Sequence, residues 1–108
     1  MREGIQTVGQ GTLDRATALQ EMIGEYRDER TVEASRLDEY RMRRAKLELA
    51  REILVDHGEV AEANRLNMEI HNLDHHIQSS ETTLARLDRL VSIFQQSLDK
   101  LREDSNRP

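Results

Sequence analysis

A hydrophobic repeat in the second half of the chain constrains its fold more than any other feature. Between Ala63 and Leu101, apolar side chains recur at alternating intervals of three and four residues for about six heptads. The positions of this repeat are Ala63, Leu66, Ile70, Leu73, Ile77, Ser80, Leu84, Leu87, Val91, Phe94, Leu98 and Leu101, and only Ser80 is polar. So sustained a repeat predicts a long α-helix that packs one face against another helix.

The composition favours a rod of helices over a compact globule. Charged residues make up 34% of the 108 residues and aromatic residues only 3%. This balance suits a narrow seam between helices better than a wide core. The length allows one domain. Because a disordered chain has no reason to keep a heptad register, we expect disorder only at the ends, in a flexible arm over residues 1–11 and a tail over residues 105–108.

One strong turn signal divides the ordered region into two helices. Residues 56–59 read Asp-His-Gly-Glu. Gly58 can adopt the positive φ that ends a helix, and Glu59 suits the first turn of the next one. We therefore predict helix one over about 13–56, a turn at 56–59 and helix two over about 59–103. A turn this short forces the helices to lie side by side, antiparallel.

Three details of these helices are less determined. Thr12 can cap helix one, with Asp14 in its first turn. Thr31 lies in a stretch without an apolar residue at the expected position, and residues 79–83 are poor helix formers, so either place could interrupt a helix. The repeat passes from Ile77 to Leu84 without a change of register, however, which favours a continuous helix two.

Helix one carries a poorer repeat than helix two. Its positions are Ala16, Leu19, Ile23, Tyr26, Arg30, Glu33, Leu37, Tyr40, Arg44, Leu47, Arg51 and Leu54. Because several are charged, we expect a second copy of the chain to cover part of helix two. The predicted fold class is all-α: a long antiparallel helical hairpin, or coiled coil, that dimerises into a four-helix bundle. The expected self-association seam is Leu66, Ile70, Leu73, Ile77, Leu84, Leu87, Val91, Phe94 and Leu98.

A basic cluster in helix one is the first candidate binding site. It consists of Arg41, Arg43, Arg44, Lys46 and Arg51. Folding the chain about Gly58 brings this segment opposite residues 65–75, where Glu69 and Asp74 can pair with it. The alternatives are a patch that binds an acidic protein segment and a patch that binds nucleic acid, for which a dimer would present two clusters.

Histidines in helix two are the only candidate metal ligands. His71 and His75 are four residues apart, so they share a helix face. A zinc pair needs further ligands, and the HExxH arrangement of metalloproteases is absent. His71 follows Ile70 of the repeat, so we expect its ring to pack along the helix interface and expect no bound metal.

The remaining features exclude more functions than they suggest. The chain has no cysteine, no nucleophile–base arrangement and no phosphate-binding loop, so we expect no catalysis, no cofactor and no small-molecule substrate. The net charge of −5 disfavours nucleic acid and anionic membranes. No apolar run is long enough to span a bilayer and no signal-peptide core follows Met1, so we expect a cytoplasmic protein.

The function that these observations favour is that of a non-catalytic helical adaptor. Its expected partners are a second copy of itself and an unidentified protein. Bacterial secretion chaperones, phage assembly factors and phage-encoded inhibitors of host enzymes have helical folds of this type. The sequence does not distinguish between these three classes of protein. The alternative is a nucleic-acid-associated protein that uses the Arg41–Arg51 cluster of a dimer.

Overall fold

Two long helices joined by a tight turn make up the part of the chain that the structure describes. The computed structural model describes residues 14–106. Helix α1 spans Arg15–Asp56 and helix α2 spans Val60–Ser105. They lie antiparallel, and the predicted all-α helical hairpin is therefore confirmed. Both helices are continuous, so the interruptions considered at Thr31 and at residues 79–83 do not occur.

Asp14 begins α1 as its N-cap. Its carboxylate accepts a hydrogen bond from the backbone N–H of Ala16 at 3.1 Å and one from Thr17 Oγ1 at 2.7 Å. These bonds, first of all the one from Thr17, hold the pKa of Asp14 below its ordinary value. Asp14 was expected inside the first turn, with Thr12 as the cap; that placement is wrong, because the helix begins one residue after Asp14. Thr12 and the predicted arm over residues 1–11 lie outside the described residues.

A glycine in the left-handed conformation ends α1. Gly58 has φ +80°. Its N–H donates to the carbonyl of Val55 at 3.0 Å, and the N–H of Glu59 donates to the carbonyl of Leu54 at 2.8 Å. This pair of bonds is the Schellman arrangement, which satisfies the last carbonyl groups of a helix and reverses the chain.

The other end of α2 lies slightly beyond the expected one. The backbone N–H of Asn106 donates to the carbonyl of Arg102 at 3.2 Å, so helical hydrogen bonding continues past the last predicted turn. Ser105, assigned from sequence to the disordered tail, is helical. Residues 107–108 of that tail lie outside the described residues.

The contacts of the chain divide it into two units. The turn unit is Thr31–Arg86. The terminal unit is Met1–Arg30 with Leu87–Pro108, of which residues 14–30 and 87–106 are described. Each unit contains a segment of both helices. The buried residues of the turn unit are Leu37, Leu47, Ala63, Ile70 and Ser80, and those of the terminal unit are Ile23, Leu87 and Leu98.

The predicted repeat of α2 lines the helix interface in both units. In the turn unit, the repeat positions from Ala63 to Leu84 are all buried or half-buried. In the terminal unit the same holds from Leu87 to Leu101. The opposing residues of α1 are also buried or half-buried, except Arg30. The periodicity thus identified the interface residues of both helices.

Candidate functional site

The expected self-association seam is partly covered by α1 within one chain. Ile70 is 4% exposed, Leu87 1% and Leu98 3%, with α1 packed against them. The other seam residues are half-buried, namely Leu66, Leu73, Ile77, Leu84, Val91 and Phe94. Helix α1 therefore buries three of the nine seam residues and leaves six partly exposed. The four-helix bundle stays a prediction.

Polar pairs explain how α1 covers the stripe in the turn unit despite its charged positions. Glu33 accepts a hydrogen bond from Ser80 Oγ. Arg51 Nη1 donates to Asn67 Oδ1 at 2.7 Å. Each of these polar residues of α1 therefore has a polar partner on α2. The hydrogen bonds offset most of the free-energy cost of removing the polar groups from water.

Arg44 makes the most extensive of these polar contacts. Its Nε and Nη2 both reach the carboxylate of Asp74, the second at 3.4 Å, and its Nη1 contacts Glu48 at 2.8 Å. The hydrogen bonds raise the pKa of Arg44 and hold that of Asp74 below its ordinary value. The charge of Arg44 is therefore directed at this chain's own carboxylates.

The terminal unit also pairs a charged residue of α1 with a carboxylate of α2. Arg30 Nε and Nη2 contact the two carboxylate oxygens of Asp88, the second at 3.4 Å. The ring of Tyr26 stacks on Phe94 with centroids 5.5 Å apart. The aromatic contact fills the interface, while the ion pair holds a charged residue at its exposed edge.

The rest of the basic cluster is largely paired as well. Arg41 contacts Glu81 at 2.6 Å, and Arg43 lies 3.6 Å from Glu69. Among the described residues, only Lys46 of the five cluster members makes no ion pair or hydrogen bond with another side chain. The sequence interpretation in which the cluster pairs across the hairpin matches this geometry, and little free positive charge is left for a binding patch.

The three clustered histidines divide between two environments. His76 stacks on Tyr40 of α1, with ring centroids 5.2 Å apart. His71 and His75 are exposed and contact each other, with their Nε2 atoms 3.3 Å apart. His71 therefore does not pack along the interface as expected. It points to solvent because it follows the repeat position instead of occupying one.

A second apolar stripe, which the sequence analysis missed, lies on the outer face of α1 in the turn unit. It follows the 3-4 spacing through Val32, Ser35, Glu39, Met42, Lys46, Leu49 and Ile53, and we call these residues the outer stripe. All seven are exposed; Val32 is 57% exposed, Met42 62%, Leu49 59% and Ile53 50%. The periodicity was readable, but the charged residues at the middle of the stripe hid it.

The surface at one end of the outer stripe is concave. Val32, Ser35 and Glu39 line a shallow depression together with the neighbouring Thr31 and Arg36. Apolar side chains at such spacing on an exposed helix face are typical of a surface that another helix covers. Four of its seven residues are large and apolar, namely Val32, Met42, Leu49 and Ile53.

Two further findings bear on the class of site. Neither helix within residues 14–106 has a segment apolar enough and long enough to cross a lipid bilayer. The same residues hold no group of three or more His, Cys, Asp or Glu side chains placed to share a metal ion.

Comparisons with protein-family models, with curated proteins and with solved structures found no match to this chain.

Proposed function

We propose that this chain is a non-catalytic helical adaptor that associates with other helices through the outer stripe of α1. The exposure of Val32, Met42, Leu49 and Ile53 at helical spacing supports this most directly. Each of these side chains is at least half exposed, although burying one would stabilise a complex by about 1.5–3 kcal/mol before the costs of association. The proposal therefore moves the interaction surface from the seam of α2 to the opposite face of α1.

A second copy of the chain is the first occupant that we propose for the outer stripe. Its two central charged residues have opposite signs, Glu39 and Lys46, one heptad apart. If two stripes pack antiparallel about a two-fold axis near Met42, Lys46 of each copy faces Glu39 of the other. Like charges would instead face each other in a parallel pairing in register. Charge complementarity therefore favours the antiparallel homodimer.

The mass of the protein in solution, measured by light scattering over a wide concentration range, tests the proposal. We expect a dimer for the unmodified chain. Met42→Glu should weaken the dimer at least tenfold because it places a charge in the middle of the buried stripe. Met68→Glu is the matched control, since Met68 is also an exposed methionine, 71% exposed against 62% for Met42, and lies on the other helix.

Each outcome of this experiment is decisive. A dimer that Met42→Glu dissociates and Met68→Glu leaves intact supports the proposed surface. A monomer at all concentrations would overturn the homodimer, and a dimer insensitive to Met42→Glu would overturn the outer stripe as its interface. Circular dichroism confirms beforehand that both variants keep their helices, as expected for substitutions at exposed positions.

The adaptor proposal extends to an unidentified protein partner in the cytoplasm. Secretion chaperones, phage assembly factors and enzyme inhibitors remain the classes of protein that we consider. The nucleic-acid alternative has less support, because Arg41, Arg43 and Arg44 are engaged by carboxylates of the same chain. A phosphate backbone would have to compete with those contacts for each charge.

A further inference from the structure

The His71 and His75 side chains form an exposed pair on one face of α2. Their Nε2 atoms lie 3.3 Å apart and their ring centroids 4.7 Å apart. Neither imidazole has any other hydrogen-bond or ring contact within residues 14–106 that the structure records. Both rings are therefore available to an external ligand, unlike His76, which stacks on Tyr40.

The separation of the two nitrogen atoms matches that of a metal chelate. Zinc binds imidazole nitrogen at about 2.0–2.1 Å with tetrahedral angles, which places two bound nitrogens about 3.4 Å apart. Residues at i and i+4 are neighbours on one helix face, so the backbone holds both imidazoles close together before the ion binds.

The charges around the pair also favour a cation. Asp74 adjoins His75, and its carboxylate is held by Arg44 of α1. A carboxylate attracts a nearby cation, so this placement favours positive charge at the two imidazoles.

We propose that His71 and His75 form a two-point chelate for a divalent transition-metal ion of the class that prefers imidazole, namely Zn²⁺, Ni²⁺ or Cu²⁺. Hard ions such as Mg²⁺ and Ca²⁺ prefer oxygen ligands and are not expected. No third protein ligand is close by within the described residues. Water completes the coordination, so the ion exchanges readily. This site does not depend on the proposed adaptor function.

Isothermal titration of the full chain with ZnCl₂ tests the site. We expect one ion per chain, and we expect His71→Ala and His75→Ala each to weaken binding at least tenfold because each leaves a single ligand. His57→Ala is the control: His57 lies at the turn, where its Nδ1 is 2.9 Å from the carbonyl oxygen of Ile53. Its loss should leave zinc affinity unchanged.

A spectroscopic measurement identifies the ligands independently. Electron paramagnetic resonance of the Cu²⁺-loaded chain should show two coordinated imidazole nitrogens, and one after His75→Ala. The absence of zinc binding at millimolar concentration would overturn the proposal, as would binding unaffected by either substitution. One ion per two chains would overturn the water-completed coordination in favour of four imidazoles from two copies. Both histidines are exposed, so their replacement should not alter folding, which circular dichroism checks.

Discussion

Ser80 of α2 donates a hydrogen bond from its Oγ to the carboxylate of Glu33 on α1. Ser80 is only 3% exposed, and Glu33 also accepts a bond from Arg36 Nη1 at 3.0 Å. The only polar residue in the repeat of α2 thus faces one of the charged residues in the repeat of α1. A slip of the helices by one heptad would separate them and leave each beside apolar side chains. The pair therefore helps to specify the register of the turn unit.

Replacing Ser80 by alanine should destabilise the hairpin. The substitution leaves the half-buried Glu33 carboxylate without one of its donors, at a cost of about 1–3 kcal/mol in the free energy of unfolding. Urea denaturation followed by circular dichroism measures it. Ser79→Ala at the exposed neighbouring position is the control, with an expected change within about 0.5 kcal/mol.

The double variant Glu33→Leu with Ser80→Ala should recover most of that loss. Removing both partners leaves no unsatisfied carboxylate and adds an apolar side chain to the interface. A double variant less stable than Ser80→Ala would show that the hydrogen bond is not what connects the two positions. Glu33→Leu alone completes the cycle, and the change in the double variant minus the sum of the two single changes gives the coupling energy.

Two leucines distinguish the inner and outer faces of the helices. Leu87 is 1% exposed in the terminal unit, and Leu49 is 59% exposed in the outer stripe. We expect Leu87→Ala to lower the free energy of unfolding by about 2–5 kcal/mol because it leaves a cavity in the interface. Leu49→Ala, measured in the same way at low protein concentration, should change it by less than about 0.5 kcal/mol. Equal effects would mean that the helix faces are assigned wrongly.

The sequence predicted the interface well because a single physical rule governs it. Alternation of three and four residues places side chains on one helix face whatever their neighbours are, so Ile70, Leu87 and Leu98 could be assigned to the interior from spacing alone. The turn followed from Gly58, since few other residues adopt its positive φ. These features depend on local geometry, which residue type and spacing predict directly.

What the sequence did not reveal depends on pairs of residues far apart in the chain. The sequence placed Asp74 opposite the basic cluster but did not say which arginine it contacts, and in the structure that residue is Arg44, 30 residues away. The partners of Glu33 and Arg51 were not predicted at all, so these two residues were counted only as interruptions of the interface. The outer stripe was not predicted for a different reason: Glu39 and Lys46 interrupt it, so its apolar periodicity is weak.

The Arg44–Asp74 contact predicts a pH effect. The pKa of Asp74 is below its ordinary value of 3.8. The stabilisation it represents is therefore complete above the unfolded-state pKa and disappears as the pH falls through the lower, folded-state pKa. NMR titration of the carboxyl carbons should show this lowered pKa, and Arg44→Gln should move it back towards 3.8.

A distant arginine provides the control for that titration. Arg65 pairs with Glu62 on the same helix at 2.5 Å. Arg65→Gln should leave the pKa of Asp74 unchanged, because the two residues share no contact. If Arg44→Gln had no more effect than Arg65→Gln, the contact with Asp74 would not persist in solution. Both arginines are solvent-exposed enough that salt should reduce the effect.

The same substitution, glycine to alanine, should have opposite effects at Gly58 and Gly24. Gly58 has φ +80°, where a Cβ atom is strained, so Gly58→Ala should cost roughly 1–2 kcal/mol. Gly24 lies within α1, and a Cβ atom there would meet nothing within 4 Å. Gly24→Ala should therefore stabilise the protein by about 0.5–1 kcal/mol through helix propensity. Thermal unfolding of the two variants measures both changes, and the same sign for both would contradict the turn geometry.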